Sequence, residues 1–318
     1  MPPSPGMPYG PAPVWCFPLF EFTMYFIFVL CLWHAIKRGP SSVAFLLGGF
    51  LFGVLLEFLE VLMGSYSYGS FVLMLGKSPE VVPLCIGIAW GIIMYTSRLL
   101  SDWLGLPLWA AAAFDTLLAL NIDFSIDVVA YRLHMWNWDW SHSSENPLTA
   151  QWFGIPWGNF FGWQTVIFCY SAFSRLLERG FLRWKVRIAK SIGIALLAII
   201  LSLGALYTTE LAFPVLTKWG IKGFHRFLAF STLLVALSVA GWRNKKTSIQ
   251  PIPSLSWIAP GSFHLLFAGC FFLLGFYKEN IWMTIAGITN LVIGLALHVL
   301  PATQFTKPAF TEQKLGVD

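Results

Sequence analysis

Long apolar stretches, broken at short intervals by polar, proline- or glycine-bearing segments, dominate this chain. They recur at roughly 17–36, 43–63, 82–100, 107–129, 157–174, 188–208, 224–242, 257–277 and 281–300. Each is near the roughly 20 residues that a helix needs to cross the hydrocarbon core of a bilayer. Strand-like alternation of polarity does not recur often enough for a barrel, and only helices or closed barrels satisfy their backbone in lipid. The pattern therefore predicts an all-α, polytopic transmembrane helical bundle of about nine spans, in a range of eight to ten. Residues 17–303 read as one membrane domain. A disordered tail is expected at 1–16 and a second tail at 304–318, and the opening MPPSPGMPYGPAPVW lacks the positive n-region of a signal peptide.

Charge gives the bundle a direction. With the N-terminus outside, the inner loops hold Lys37, Arg38, Arg98, the basic residues between 175 and 190, Arg243, Lys245 and Lys246, and the C-terminal tail adds Lys307 and Lys314. That places 14 of the 20 basic residues inside and leaves six outside, as the positive-inside rule requires.

Composition narrows the class. Hydrophobic residues make up 57% of the 318 positions and charged residues 11%, which excludes an ordinary soluble domain. No basic stripe interleaved with aromatics points to nucleic acid. Five cysteines (Cys16, Cys31, Cys85, Cys169, Cys270) lie scattered and mostly within apolar segments, without CxxC spacing. Neither a disulfide framework nor a cysteine metal site is indicated.

Against this background the acids stand out. Glu57 and Glu60 in the second span are three residues apart, about 60° around a helix, and share a face. Asp123 and Asp127 in the fourth are four apart and also share one, while Asp115 sits roughly 12 Å further along the same axis. Carboxylates at membrane depth are expensive and usually face a bundle interior, a partner or a reaction. Their bland reading is that they cap helix ends or pair with Arg98 or Arg132. Their sharper reading is that Glu57, Glu60, Asp115 and Asp123 face one interior cavity, in which closely placed carboxyls cannot all ionise and one becomes a general acid.

Aromatics make up 17% of the chain (29 Phe, 16 Trp, 9 Tyr). Trp136, Trp138 and Trp140 fit an interfacial belt, as do Trp15, Trp103, Trp109, Trp242 and Trp257. Trp90, Trp157 and Trp163 lie at or inside span ends beside the acidic segments and are candidates for touching a substrate. An indole face stabilises a desolvated cation by up to about 2 kcal/mol. Acids beside so many aromatic faces suggest chemistry that makes or guides a carbocation.

Several elements, in order, carry a resemblance. They are E-x-x-E-x-x-x-G-x-Y-x-Y from Glu57 to Tyr68, VPLCIGIAW from Val82 to Trp90, AAAFDTLLALNIDFSIDVVA from Ala111 to Ala130, W-x-W at Trp136 and Trp138, and GIPWGNFFGW from Gly154 to Trp163. Over roughly residues 40–175 the chain resembles the multi-pass carotenoid biosynthesis proteins that include the carotenoid 1,2-hydratases of the CruF and bisanhydrobacterioruberin hydratase type. It departs where the family typically has Asp-Pro, since Val128 follows Asp127 here. The last three or four spans carry no matching motif.

The resemblance implies a lyase that adds water across the terminal C1–C2 double bond of an acyclic carotenoid. Protonation gives a tertiary cation that water captures, without a redox cofactor or an obligatory metal. The expected proton donor is Asp115 or Asp123, with Glu57 or Glu60 holding or deprotonating water. Trp90, Trp157, Trp163, Tyr66, Asn159 and Asp127 are the expected substrate-side residues, Asn159 and Tyr66 orienting water. The partners are then a long apolar polyene or isoprenoid, water, membrane lipid and other carotenoid enzymes, at an integral position in a bacterial plasma membrane. Excluding water from the same cation would give a proton-initiated isoprenoid cyclase. From other classes come a proton-coupled transporter, against which no internal repeat or paired broken spans appear, and a non-catalytic membrane scaffold.

Overall fold

A computed structural model describes residues 10–140, 146–180 and 187–299. The 304–318 tail, residues 1–9 of the N-terminal tail and part of the basic 175–190 segment lie outside the described residues. Nine long helices account for most of what is described: α1 (Cys16–Arg38), α2 (Pro40–Leu62), α3 (Leu84–Trp103), α4 (Leu108–Arg132), α6 (Trp157–Gly180), α7 (Arg187–Lys218), α8 (Gly223–Trp242), α9 (Leu255–Leu273) and α10 (Ile281–Gly294). A single turn, α5 (Ala150–Phe153), precedes α6, and a π turn prolongs α10 to Val299. The fold is thus the expected all-α polytopic bundle, with every predicted stretch occupied by a helix.

Seven of the nine are long and apolar enough to cross a membrane by composition alone. The exceptions are α4 and α6, which concentrate the polar groups. α4 carries three aspartates and Arg132, nearly all of it is buried, and it packs against α3, α6, α8, α9 and α10. It is therefore the axis of the bundle, where a charged side chain finds protein instead of lipid.

Local sequence explains the element ends. Gly39 adopts φ 108 after α1, and Pro40 opens α2 at a position where its missing N–H is no loss. Close helix approach rests on small residues, as is usual in membranes. A Cβ at Gly53 of α2 would lie 2.5 Å from the Trp90 Cβ of α3, so this glycine sets Trp90 against α2.

Four short strands cap one end of the bundle. β1 (Tyr66–Tyr68) pairs antiparallel with β4 (Trp136–Trp138), and β2 (Met74–Lys77) forms a hairpin with β3 (Glu80–Pro83). Glu21, buried in α1, pins the intervening segment by accepting the backbone N–H groups of Val72 (2.7 Å) and Leu73 (2.8 Å). At the same end Arg132 is fully buried. Its Nε donates to Glu279 at 2.6 Å, its Nη1 to the carbonyls of Val128 and Phe153 at 2.9 and 3.0 Å, and its Nη2 to the carbonyl of Leu148 at 3.3 Å. Those bonds hold the segment around α5, in which Gln151 and Phe153 take positive φ of 49 and 50.

Candidate functional site

Glu57 lies in the last turns of α2, where the chain is about to leave the bundle, and is 3% exposed. Its carboxylate accepts three donors: the hydroxyls of Tyr66 and Tyr68, both on one oxygen, and the Trp90 indole Nε1 on the other at 2.6 Å. Burial, with the Glu57 carboxylate beside them, pushes both phenols well above the usual tyrosine range. They therefore remain O–H donors, and three donors from β1 and α3 fix the carboxylate in place.

Asp127 faces Glu57 from α4. It accepts the Trp136 indole Nε1 at 3.2 Å and the Asn159 side-chain amide of α6. One helical turn back, Asp123 is fully buried, and its carboxyl contacts that of Asp127. Among the described residues no donor group reaches either Asp123 oxygen. Two buried carboxyls one helical turn apart on the same face of α4, with no other donor on Asp123, form an arrangement that can share a proton.

Glu57 and Asp127 line one narrow cavity of about 50 Å³. Its walls include Tyr66, Tyr68, Trp136, Trp138 and the tilted Trp90–Trp163 pair, whose ring centroids are 4.2 Å apart. Glu57, Tyr66, Trp90, Trp138, Asn159 and Trp163 also line the end of a second cavity of about 600 Å³ that runs along α2, α6 and α7. That larger space is mainly apolar, with Glu60, Glu210 and Arg226 among its few charged residues. A long apolar groove thus ends at a small aromatic chamber carrying two oriented carboxyls.

The expectation of one cavity for four acids holds in part. Glu57 lines the chamber and the groove, Glu60 lines the groove, and Asp123 stands behind Asp127. Asp115 is elsewhere, towards the opposite end of the bundle. It accepts Ser171 at 2.6 Å and pairs with Arg175 at 3.0 Å, in a network with Asp102, Arg98 and Glu178. The cause is the roughly 12 Å that separates Asp115 from Asp123 along α4, which puts it level with the basic end of α6. Asp127, which Val128 follows in place of the family's proline, lines the chamber.

Among the aromatics, Trp90, Trp163 and Tyr66 line the chamber, as does Asn159. Trp157 lines neither space; it packs in tilted and edge-on contacts against Trp152 of α5, Phe160 of α6 and Phe224 and Phe227 of α8. Tyr68 and Trp136 bind the two acids and were missed as individual residues, although both belong to the Y-x-Y and W-x-W motifs. Trp136 is only 8% exposed, so the belt reading does not describe it. Glu21 was missed too, and its signal was a lone acid inside the first apolar stretch. Among the described residues, no group of three or more His, Cys, Asp and Glu side chains is arranged to hold a metal ion.

A polytopic helical bundle with a largely apolar groove leading to buried acids defines an integral membrane protein suited to a lipophilic substrate. The chain belongs to the carotenoid biosynthesis protein family: the family model of that description matches residues 19–223, more than half of the chain. The match takes in the whole chamber except Phe263, and it leaves α8 beyond Gly223, α9 and α10 outside. No curated protein and no solved structure is significantly similar to the chain.

Proposed function

We propose that this carotenoid biosynthesis protein is a hydratase that adds water to the terminal C1–C2 double bond of an acyclic carotenoid. The observation that carries the reading is the opposition of Glu57 and Asp127 across an aromatic chamber that closes a 600 Å³ apolar groove. The groove takes the polyene and the chamber its end. The Asp123–Asp127 pair supplies a proton through Asp127 to the less substituted alkene carbon, which leaves a tertiary cation. Indole faces of Trp90, Trp163, Trp136 and Trp138 wall that cation, each face worth up to about 2 kcal/mol when desolvated.

Glu57, held by three donors, is the base that takes a proton from the attacking water. The products are a tertiary alcohol and a protonated Glu57, and return of that proton to the aspartate pair restores the site. Proton donation by a positioned acid contributes about 10²–10⁴-fold. Asn159, bonded to Asp127, orients that carboxyl, and Glu60 in the groove wall guides water. Asp115 has no part in this scheme, because Arg175 and Ser171 occupy it.

Expression of the full chain in a host that accumulates an acyclic carotene, with pigments read by mass, tests the reading. A gain of one water per reacting end is expected. An isomer of unchanged mass would indicate a cyclase, and unaltered pigment in the presence of folded protein would overturn both.

A further inference from the structure

Away from the chamber, α4, α9 and α10 enclose another cavity of about 300 Å³, walled by Phe124, Phe153, Phe267, Phe271 and Met283. Ser125, Thr289 and Asn290 are the polar side chains in its largely apolar lining. Behind Ser125 lies a connected set of side chains that the hydration scheme does not use. The Ser125 Oγ is 2.7 Å from His264 Nδ1, and His264 Nε2 is 3.1 Å from Asn121 Oδ1. The Asn290 amide donates to Ser125 Oγ at 2.6 Å and to the Asn121 carbonyl at 2.8 Å.

The protons in this set can be assigned by counting. Ser125 accepts from Asn290, so its own O–H is directed to His264 Nδ1. His264 is then the tautomer carrying its proton on Nε2, which donates to Asn121. Burial follows the same order: His264 and Asn121 are 4% and 5% exposed, whereas Ser125 is half-buried and open to the cavity. Gly294 lets α10 close over the back of the set, since a Cβ there would fall 2.6 Å from His264 Nε2. A hydroxyl facing a cavity, a histidine base behind it and an amide oxygen orienting the histidine is the arrangement of an activated nucleophile.

We propose that Ser125 and His264 form a second catalytic site that hydrolyses a fatty-acyl ester of a lipophilic alcohol held in this cavity. The Ser125 Oγ bonds to the acyl carbon while its proton passes to His264 Nδ1. The bond from the acyl carbon to the alcohol oxygen breaks, and that oxygen takes the proton from His264. Water then adds to the acyl carbon and gives a proton to His264, and the Ser125–acyl bond breaks as Oγ takes that proton back, which releases a fatty acid and regenerates the serine and the neutral imidazole. As the Oγ–acyl bond forms, the Asn290 N–H that donates to Oγ turns to the acyl oxygen and stabilises the oxyanion, and Asn121 is a positioning residue acting through the imidazole.

The test uses the full chain purified in detergent and an alkyl fluorophosphonate, with the adduct located by peptide mass. A single adduct at Ser125 is expected, together with release of p-nitrophenol from a long-chain p-nitrophenyl ester. Both are lost in Ser125→Ala, and His264→Gln slows labelling by about 10²–10⁴-fold, the usual worth of a general base. Asn121→Ala slows labelling and Asn121→Asp, which restores an acceptor for Nε2–H, recovers it. Monodisperse wild-type protein without an adduct at Ser125 overturns the proposal, whatever the variants do. A His264→Gln protein labelled at the wild-type rate overturns it equally.

Discussion

In the register of β1 and β4, Tyr66 stands opposite Trp138 and Tyr68 opposite Trp136. This small sheet joins the donors of one carboxyl to a donor of the other: Tyr66 and Tyr68 bind Glu57, and Trp136 binds Asp127. A ribbon of three residue pairs has little stability of its own. Its hold comes from the acids beneath it and from edge contacts between the rings, 6.3 Å between centroids in both facing pairs.

Glu57 should lose its set direction as its phenol donors are removed. A hydrogen bond to a charged group is worth about 1.5–3 kcal/mol, or roughly ten- to a hundredfold in rate. Tyr66→Phe and Tyr68→Phe are each expected to slow alcohol formation by that amount, and the double variant by more. Quantified pigment from matched amounts of protein gives the answer, and a double variant as active as the native chain removes the donors from the mechanism.

The two acids of α4 that meet and the one that does not should behave differently. Asp123→Asn and Asp127→Asn are expected to abolish turnover in protein that still purifies as a single species, because an amide supplies no proton. Asp115→Asn weakens the Arg175 network instead, so its effect should be a lower melting temperature with product still formed. A dead but fully stable Asp115→Asn variant would return that residue to the reaction.

Much of this was legible in the sequence, and the part that was not has a physical cause. Helix positions followed from apolar run length, because lipid leaves the backbone no alternative. The pairs Glu57/Glu60 and Asp123/Asp127 followed from helical spacing. What spacing along one helix cannot give is the partner across the bundle. Asp115 meets Arg175, and nothing in the local sequence of either residue announces the other. The strands escaped notice because three or four residues are too few for an alternation to register. Trp136 and Trp138 sit where belt residues sit, and only the pairing with β1 turns Trp136 inward to Asp127. The Ser125, His264 and Asn290 set was equally hidden, since its members come from three different helices, α4, α9 and α10, and only the packing of these helices brings them together.

Arg132 offers a stability test separate from the chemistry. Its side chain is fully buried, and Glu279 is the carboxylate opposite it. Removing one partner of a buried pair costs about 3–5 kcal/mol, so Glu279→Ala should lower the melting temperature in detergent and speed proteolysis between 146 and 156. A variant as stable and as protease-resistant as the native chain would show that the carbonyls of Val128, Phe153 and Leu148 suffice for Arg132.

Orientation in the membrane is expected to follow the 14-to-6 division of basic residues. Asp139 and Gly180 are both exposed and lie at opposite ends of the bundle, beyond β4 and at the end of α6. In a cysteine-free background, Asp139→Cys should react with an impermeant maleimide on intact cells and Gly180→Cys only after permeabilisation. The reverse pattern inverts the topology, and label reaching both from one side is incompatible with α6 as a span.

Heavy water separates protonation from every other way of forming the alcohol. If the Asp123–Asp127 pair delivers the proton, that proton equilibrates with solvent before each turnover, because carboxyl protons exchange quickly. The carbon next to the new carbinol carbon should then carry one deuterium per hydrated end. Proton transfer in the slow step further predicts a rate lower in heavy water than in light water, with Glu57→Gln slowed while still placing deuterium at the same carbon, since Glu57 acts after the cation has formed. A Glu57→Gln variant that returned deuterated but unhydrated alkene would add weight to this order, as the cation would be lost back to alkene when water is not activated. Alcohol lacking the deuterium would exclude an exchangeable acid as the donor and, with it, the role assigned to the aspartate pair.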